Sequence, residues 1–307
     1  MPSPELEWAK QQIAGNRARA GVTTEFFDVR SARASLPPTQ LAMPEGTRVE
    51  YCMAGEATCF WVCAPEASPE RRIVYFHGGG FANCGMHSHR SLVGWLSHHT
   101  RCAVLFVEYR LAPEFRFPIG VEDCYRGYLH ALGQGPSGAR SAPSGIFVAG
   151  DSAGGALAAA TVLNAQREKK RIPDGCIIIC GMLDLDEKTS KFLQMTQGIR
   201  DNVRLYVHFL EDLQNPLASP MLADLAGFPP LLVQTGTEDY CADDNIRFAD
   251  KARAAGVDTT FENWPDMIHV WQRFAPRLPE ALQSMERIAE WIKSTEAGST
   301  PGRADKK

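Results

Sequence analysis

The chain has 307 residues, 44% of them hydrophobic, and a formal net charge of -4. That length supports one large domain or two ordinary ones, and a near-balanced, slightly acidic charge offers no clustered Lys and Arg for nucleic-acid phosphates. No apolar run approaches the roughly 18 residues of a membrane helix, and the opening "MPSPELEWAKQQIAG" has acids where a signal peptide needs an apolar stretch, so a cytoplasmic protein is expected.

In chain order, the pattern predicts a helix over 4–18, followed by an irregular segment through "ARASLPPTQLAMPEG". Strands are predicted at 48–53, 58–63 and 72–76. A helix follows over 88–99, with Ser88 as its cap. Strands at 103–108, 145–149, 175–180, 231–234 and 259–262 then alternate with helices at 120–132, 153–169, 243–255 and 279–293. Gly256 reads as the glycine that ends a helix. The later strands are continuous apolar runs, the mark of strands covered on both faces, so a mostly parallel α/β sheet is expected. Residues 1–45 and 184–216 do not fit the alternation and are read as cap elements over a catalytic domain spanning 46–295. The tail 296–307 is polar and is expected to be disordered. Nine cysteines, at 52, 59, 63, 84, 102, 124, 176, 180 and 241, are scattered with no C-x-x-C pair. They read as buried free thiols in a reducing compartment.

Two glycine clusters carry chemistry. "IVYFHGGGFANCG" runs from an apolar strand into His77, Gly78, Gly79 and Gly80. Adjacent glycines cost backbone entropy and pack nothing, so they need a reason. "IFVAGDSAGGALAAA" contains Gly150-Asp151-Ser152-Ala153-Gly154, a G-x-S-x-G between a strand and a helix. That context places a serine in a strained turn above the sheet, as a nucleophile requires. It lacks G-K-[ST] and G-x-G-x-x-G, which argues against a phosphate loop. A serine attacking a carbonyl creates an oxyanion that needs fixed N–H donors. Gly78 and Gly79 are expected to supply two and Ala153 a third, with His77 a structural residue that orients the loop.

Hydrolases of this layout place an acid and then a histidine after the serine. His269, in "TTFENWPDMIHVWQRF", lies past the last strand. Glu238 and Asp239, in "PPLLVQTGTEDYCADD", both lie past the preceding strand. Spacing does not choose between them, and Asp239 is favoured. Asp243 and Asp244 suit a helix N-terminus. His87 and His89 form an H-x-H, but no third ligand has helpful spacing, so no metal site is expected.

At these residues the chain resembles the hormone-sensitive-lipase-like family of bacterial α/β-hydrolase esterases. The blocks are His77-Gly78-Gly79-Gly80, "EYRLAPE", "GDSAGG", "PPLLVQTGTED" and "DMIHVW", spread over about residues 48–275. The resemblance implies an eight-stranded α/β-hydrolase sheet under a helical cap. It implies hydrolysis of short- to medium-chain carboxylic esters without a cofactor, and a homodimer built through the last strand and a neighbouring helix. It points to Asp239 as the acid, although the family often has Asp-Pro-Leu where this chain has Asp239-Tyr240-Cys241. In "EYRLAPE" an Arg110–Glu114 ion pair is expected. Trp8, Phe192, Leu193, Tyr206 and Phe209 are candidates to line an acyl pocket, or else plain core. The alternatives are an amidase or deacetylase of a small N-acyl metabolite, a non-catalytic ligand-binding member of the fold, and a prolyl-oligopeptidase-type peptidase. The last is disfavoured by the H-G-G-G loop.

Overall fold

The continuous apolar runs form the middle of one eight-stranded sheet. The structure, a computed structural model, describes residues 2–19, 33, 39–195 and 197–298. The strands are β1 (Arg48–Ala54), β2 (Ala57–Cys63), β3 (Ser68–Phe76), β4 (Cys102–Glu108), β5 (Gly145–Asp151), β6 (Gly175–Ile179), β7 (Leu231–Gly236) and β8 (Thr259–Trp264). Their spatial order is β1-β2-β4-β3-β5-β6-β7-β8. β1 and β2 pair antiparallel, as do β2 and β4, and every other pairing is parallel. All residues of β5, β6 and β7 are buried, as expected of strands covered on both faces.

The helices are α1 (Glu5–Arg19), α2 (Met86–Thr100), α3 (Ile119–Gly133), α4 (Ala153–Arg167), α5 (Lys191–Met195), α6 (Gln197–Tyr206), α7 (Ala242–Ala254) and α8 (Pro279–Gly298). Leu6 of α1, Leu92 and Leu96 of α2, and Met285 and Ile288 of α8 fill one face of the sheet. Val121 of α3, Leu157 of α4 and Phe248 of α7 fill the other. Parallel crossovers leave the loops at the carboxyl ends of the strands free for a site.

The predicted strands and long helices are all present, with shifted ends. α2 begins at Met86, so Ser88 is not its cap. Ser88 sits one turn in, and its hydroxyl accepts the Gly85 N–H at 3.2 Å. Gly256 does follow the end of α7, with φ 80°. α8 continues to Gly298, three residues into the expected tail, and 299–307 lie outside the described residues. Of the expected cap element 1–45, residues 1, 20–32 and 34–38 also lie outside them. α1 packs beside α8: Ser3 Oγ donates to Glu280 at 2.7 Å, and Trp8 meets Phe274 edge-on.

The insert between β6 and β7 docks on the α7 side. Arg247 of α7 donates to Asp184 at 2.9 Å and to Asp243 and Asp244 at 2.8 Å each. Burial pushes the Asp244 carboxyl up to about 7.

Candidate active site

β5 ends at Asp151 and α4 begins at Ala153, which leaves Ser152 alone in the turn. Its φ of 53° and ψ of -121° are sparsely populated by residues with a side chain and cost on the order of 1–3 kcal/mol. Hydrogen bonds hold it there. The Ser152 N–H donates to the Ile179 carbonyl at 2.9 Å, and its own carbonyl accepts from Gly155 and Met182 N–H groups, also at 2.9 Å. The flanking glycines are required by close approach. A Cβ on Gly154 would stand 2.0 Å from the Phe76 carbonyl oxygen, and one on Gly150 would stand 2.1 Å from that of Gly154.

The structure brings Ser152, His269 and Asp239 together from three separate loops. Ser152 Oγ lies 2.9 Å from His269 Nε2, and His269 Nδ1 lies 2.7 Å from Asp239 Oδ1. With Nδ1–H donating to the carboxylate, Nε2 is left to accept the serine proton. Asp239 also accepts from the Cys241 N–H at 2.9 Å and the Thr235 hydroxyl at 2.8 Å. Burial pushes its carboxyl up, but the facing His269 and these donors outweigh burial and hold it below its ordinary value. Of the two acids left open by spacing, Glu238 turns away to pair with Lys10 at 2.7 Å. Val270, in the left-handed region, donates its N–H to Cys180 Sγ at 3.3 Å. Cys180, Asp239 and His269 carry ligand-type atoms within 4.8 Å of one another, but both ring nitrogens of His269 are already engaged.

Tyr240 was not singled out by sequence as a site residue. Its ring lies 4.0 Å from His269 and 4.9 Å from Phe192 of the insert. It is the residue that stands where the resembled family often has proline, and that departure was the available signal.

The glycine loop corrects one expectation. Gly78 is buried, and its N–H already donates to Asp151 Oδ1 at 3.1 Å. It is therefore not a free donor for an oxyanion. Gly79 and Gly80 are partly exposed, with φ 113° and 60°. Both conformations favour glycine, and at Gly79 a Cβ would also meet the Asn83 carbonyl at 2.2 Å. Ala153 offers one of the first N–H groups of α4, which have no intrahelical acceptor. His77 acts on the loop as expected. Its Nδ1 lies 2.7 Å from the Gly78 carbonyl, and its ring stacks on Tyr109 at 4.3 Å. Burial, aided by the neighbouring His89, pulls it down to about 3, so it is neutral and Nδ1–H donates.

Asp151 is the second residue the sequence did not assign. It accepts from the Tyr75 hydroxyl at 2.7 Å, from Gly78, and from His89 Nε2 at 3.2 Å. Burial raises its carboxyl, but His89 and Tyr75 more than offset this and hold it well below the carboxylate range. The second histidine of the H-x-H thus has a carboxylate partner and a hydroxyl partner, Ser88, at 2.9 Å.

Other expectations change. Arg110 pairs with Asp123 and Glu56, at 2.8 and 2.7 Å, not with Glu114. Glu114 takes Arg33 at 2.9 Å. Trp8 lies under Arg277, 3.9 Å from its ring, on the α8 side. Leu193 and Tyr206 are buried in the core, with Tyr206 stacked 3.7 Å from Phe81, while Phe209 is exposed.

Comparison with known proteins places this geometry. A model of the α/β-hydrolase fold matches residues 73–273. An acetyl-hydrolase of Streptomyces hygroscopicus is 34% identical over 96% of this chain and 98% of its own length. An esterase of Acinetobacter venetianus is 33% identical over 75% of this chain and 77% of its own. A solved structure of an esterase from the bacterial hormone-sensitive lipase family aligns with a TM-score of 0.81 at 32% identity, covering 96% of this chain and 99% of that one.

Proposed function

The chain belongs to the α/β-hydrolase fold family, and we propose that it hydrolyses short- to medium-chain carboxylic esters through an acyl-enzyme on Ser152. The observation that carries this reading is the 2.9 Å contact from Ser152 Oγ to His269 Nε2, backed by Asp239 at 2.7 Å. His269 takes the serine proton as Ser152 attacks the ester carbonyl. Asp239 keeps the imidazole in the productive tautomer and supports its charge. The oxyanion is received by N–H groups of Gly79, Gly80 and Ala153, with Gly78 bracing the loop through Asp151. His269 then protonates the leaving alcohol, and water repeats the sequence on the acyl-enzyme. No step calls on a cofactor.

The acetyl-hydrolase and esterase names of the relatives support small acyl groups. Residues 1–45 and 184–216 serve as the cap, and the contact of Phe192 with Tyr240 beside His269 supports this for the insert. A homodimer through β8 is supported by its place at the sheet edge. A reducing cytoplasm is supported by nine free cysteines. Among the described residues no helix is long and apolar enough to cross a membrane.

The test is hydrolysis of p-nitrophenyl esters from acetate to laurate, beside matched anilides. Activity that falls with chain length and vanishes in Ser152→Ala and His269→Ala is the expected result. Faster turnover of the anilides would favour the amidase reading. No turnover of either by the folded protein would leave the ligand-binding reading.

A further inference from the structure

β1 and β2 form the hairpin at one edge of the sheet, turning through Gly55 and Glu56. In their register Cys52 stands directly opposite Cys59. Opposed residues of an antiparallel pair share a face, with Cα atoms about 4.5–5.5 Å apart. That falls within the roughly 4.4–6.8 Å that a disulfide spans. Both residues are free thiols.

Their surroundings differ in a useful way. Along β1, Val49, Tyr51 and Met53 are exposed, while Cys52 packs against the α3 side of the core. Cys52 is half-buried at the rim, and Cys59 behind it is fully buried. The Cys59 thiol donates to the Ala57 carbonyl at 3.8 Å, and Cys52 lies beside both Cys59 and His130, which is in the last turn of α3. Cys59, helped by His130, outweighs burial and brings the Cys52 thiol down to about 5. The neighbouring Cys52, with burial, pushes Cys59 far up. A reachable thiolate therefore stands next to a protonated thiol, the arrangement of an attacking and a resolving cysteine.

We propose that Cys52 and Cys59 form a peroxide-responsive pair that closes to a cross-strand disulfide. The Cys52 thiolate attacks one oxygen of a hydroperoxide. The O–O bond breaks, the sulfur becomes a sulfenic acid, and the departing oxygen takes up a proton to leave as water or alcohol. The Cys59 sulfur then attacks the sulfenic sulfur, its proton leaves with the hydroxyl as water, and the S–S bond forms. Two thiols are oxidised and one peroxide is reduced. The ester chemistry uses neither residue.

The experiment treats the full chain with hydrogen peroxide, alkylates the remaining thiols in denaturant and digests with trypsin. Peptide 49–71 carries Cys52, Cys59 and Cys63. It is expected to lose two hydrogens and to be alkylated at Cys63 alone, with all three sites alkylated after reduction. Cys59→Ser should stop at a sulfenic acid on Cys52, trapped by dimedone, and Cys52→Ser should give neither product. Both variants should keep ester hydrolysis. In the untreated native protein, iodoacetamide at about pH 6 should modify Cys52 at least about tenfold faster than Cys63. Equal alkylation rates, a bridge to Cys63 or Cys124, or over-oxidation of Cys52 with Cys59 left as a thiol would each overturn the proposal. The alkylation and mass measurements on the unmutated chain need no variant to fold.

Discussion

Asp239–His269 and Asp151–His89 are the same pair of side chains, both packed about the turn that carries Ser152, yet their settings are opposite. His269 keeps 12% of its side chain exposed and turns its second nitrogen to Ser152 Oγ. His89 keeps 1% and turns its second nitrogen to the Ser88 hydroxyl, which also bonds the Gly85 carbonyl. One pair ends on Ser152, the proposed nucleophile, at the rim of the site. The other ends on structure, and its carboxylate holds Gly78 and Tyr75 in place. An aspartate–histidine contact is thus no evidence of catalysis by itself. What the far nitrogen reaches, and whether substrate can follow it there, separates a base from a brace.

The comparison breaks most sharply at the first pair. Ser152→Ala or His269→Ala should lower kcat on the order of 10⁴-fold or more, and Asp239→Asn about 10⁴-fold through the wrong imidazole tautomer. Burst kinetics and kcat with a short-chain p-nitrophenyl ester measure this. A mild loss in either serine or histidine variant would dissolve the distinction between the pairs.

Substitution in the second pair should act through stability and loop placement. His89→Gln takes the imidazole from a buried carboxylate that keeps its Tyr75 and Gly78 donors, which costs about 1–3 kcal/mol. The expected results are a clear drop in the urea midpoint and a kcat decrease of about tenfold, below the roughly 10²–10³-fold cost of removing an oxyanion donor outright, with KM little changed. Adding Asp151→Asn removes the charge and should recover part of the stability. A loss as large as that of His269→Ala would mean that His89 is not merely a brace.

Tyr240 sharpens the comparison, since its ring lies 4.0 Å from His269, whereas the rings beside His89 stand farther off, His77 at 5.7 Å and Phe106 at 6.4 Å. Tyr240→Ala should lower kcat by about 3- to 10-fold, the scale of one aromatic contact to a developing cation. Tyr240→Phe should retain the activity. A titration of kcat against pH for both variants shows whether the ring supports the imidazolium.

The smallest effect is a pH dependence of stability. The Asp151 carboxyl in the fold lies below its ordinary value of 3.8, so the unfolded chain binds the proton more readily. The pair's contribution is present above that value and is lost as pH falls through it toward the folded value. Urea midpoints from about pH 6 down to about pH 3 should fall for the natural chain and fall less steeply for His89→Gln.

Strands, their order of appearance and Ser152 were legible because their signals are local. An apolar run such as Ile73–Phe76 marks a strand without knowledge of its neighbours, and G-x-S-x-G marks the elbow because glycine alone fits beside it. His269 was legible by chain order. Gly78 was misread for the opposite reason. Three adjacent glycines look alike in sequence, and the one already bonded to Asp151 is distinguished only by a carboxylate 73 residues away. Arg110 likewise chose Asp123, one turn into α3, over the nearer Glu114.

The amino-acid order by itself determined the α/β layering, the serine turn and the candidates for base and acid, because periodicity, glycine sterics and strand–loop alternation act within a few residues. The tertiary structure decided which acid meets His269, which glycine stays free and which of two aspartate–histidine pairs reaches Ser152. Those outcomes depend on burial and on donors and acceptors from distant loops, and packing assigns them only once the sheet has brought those loops to one edge.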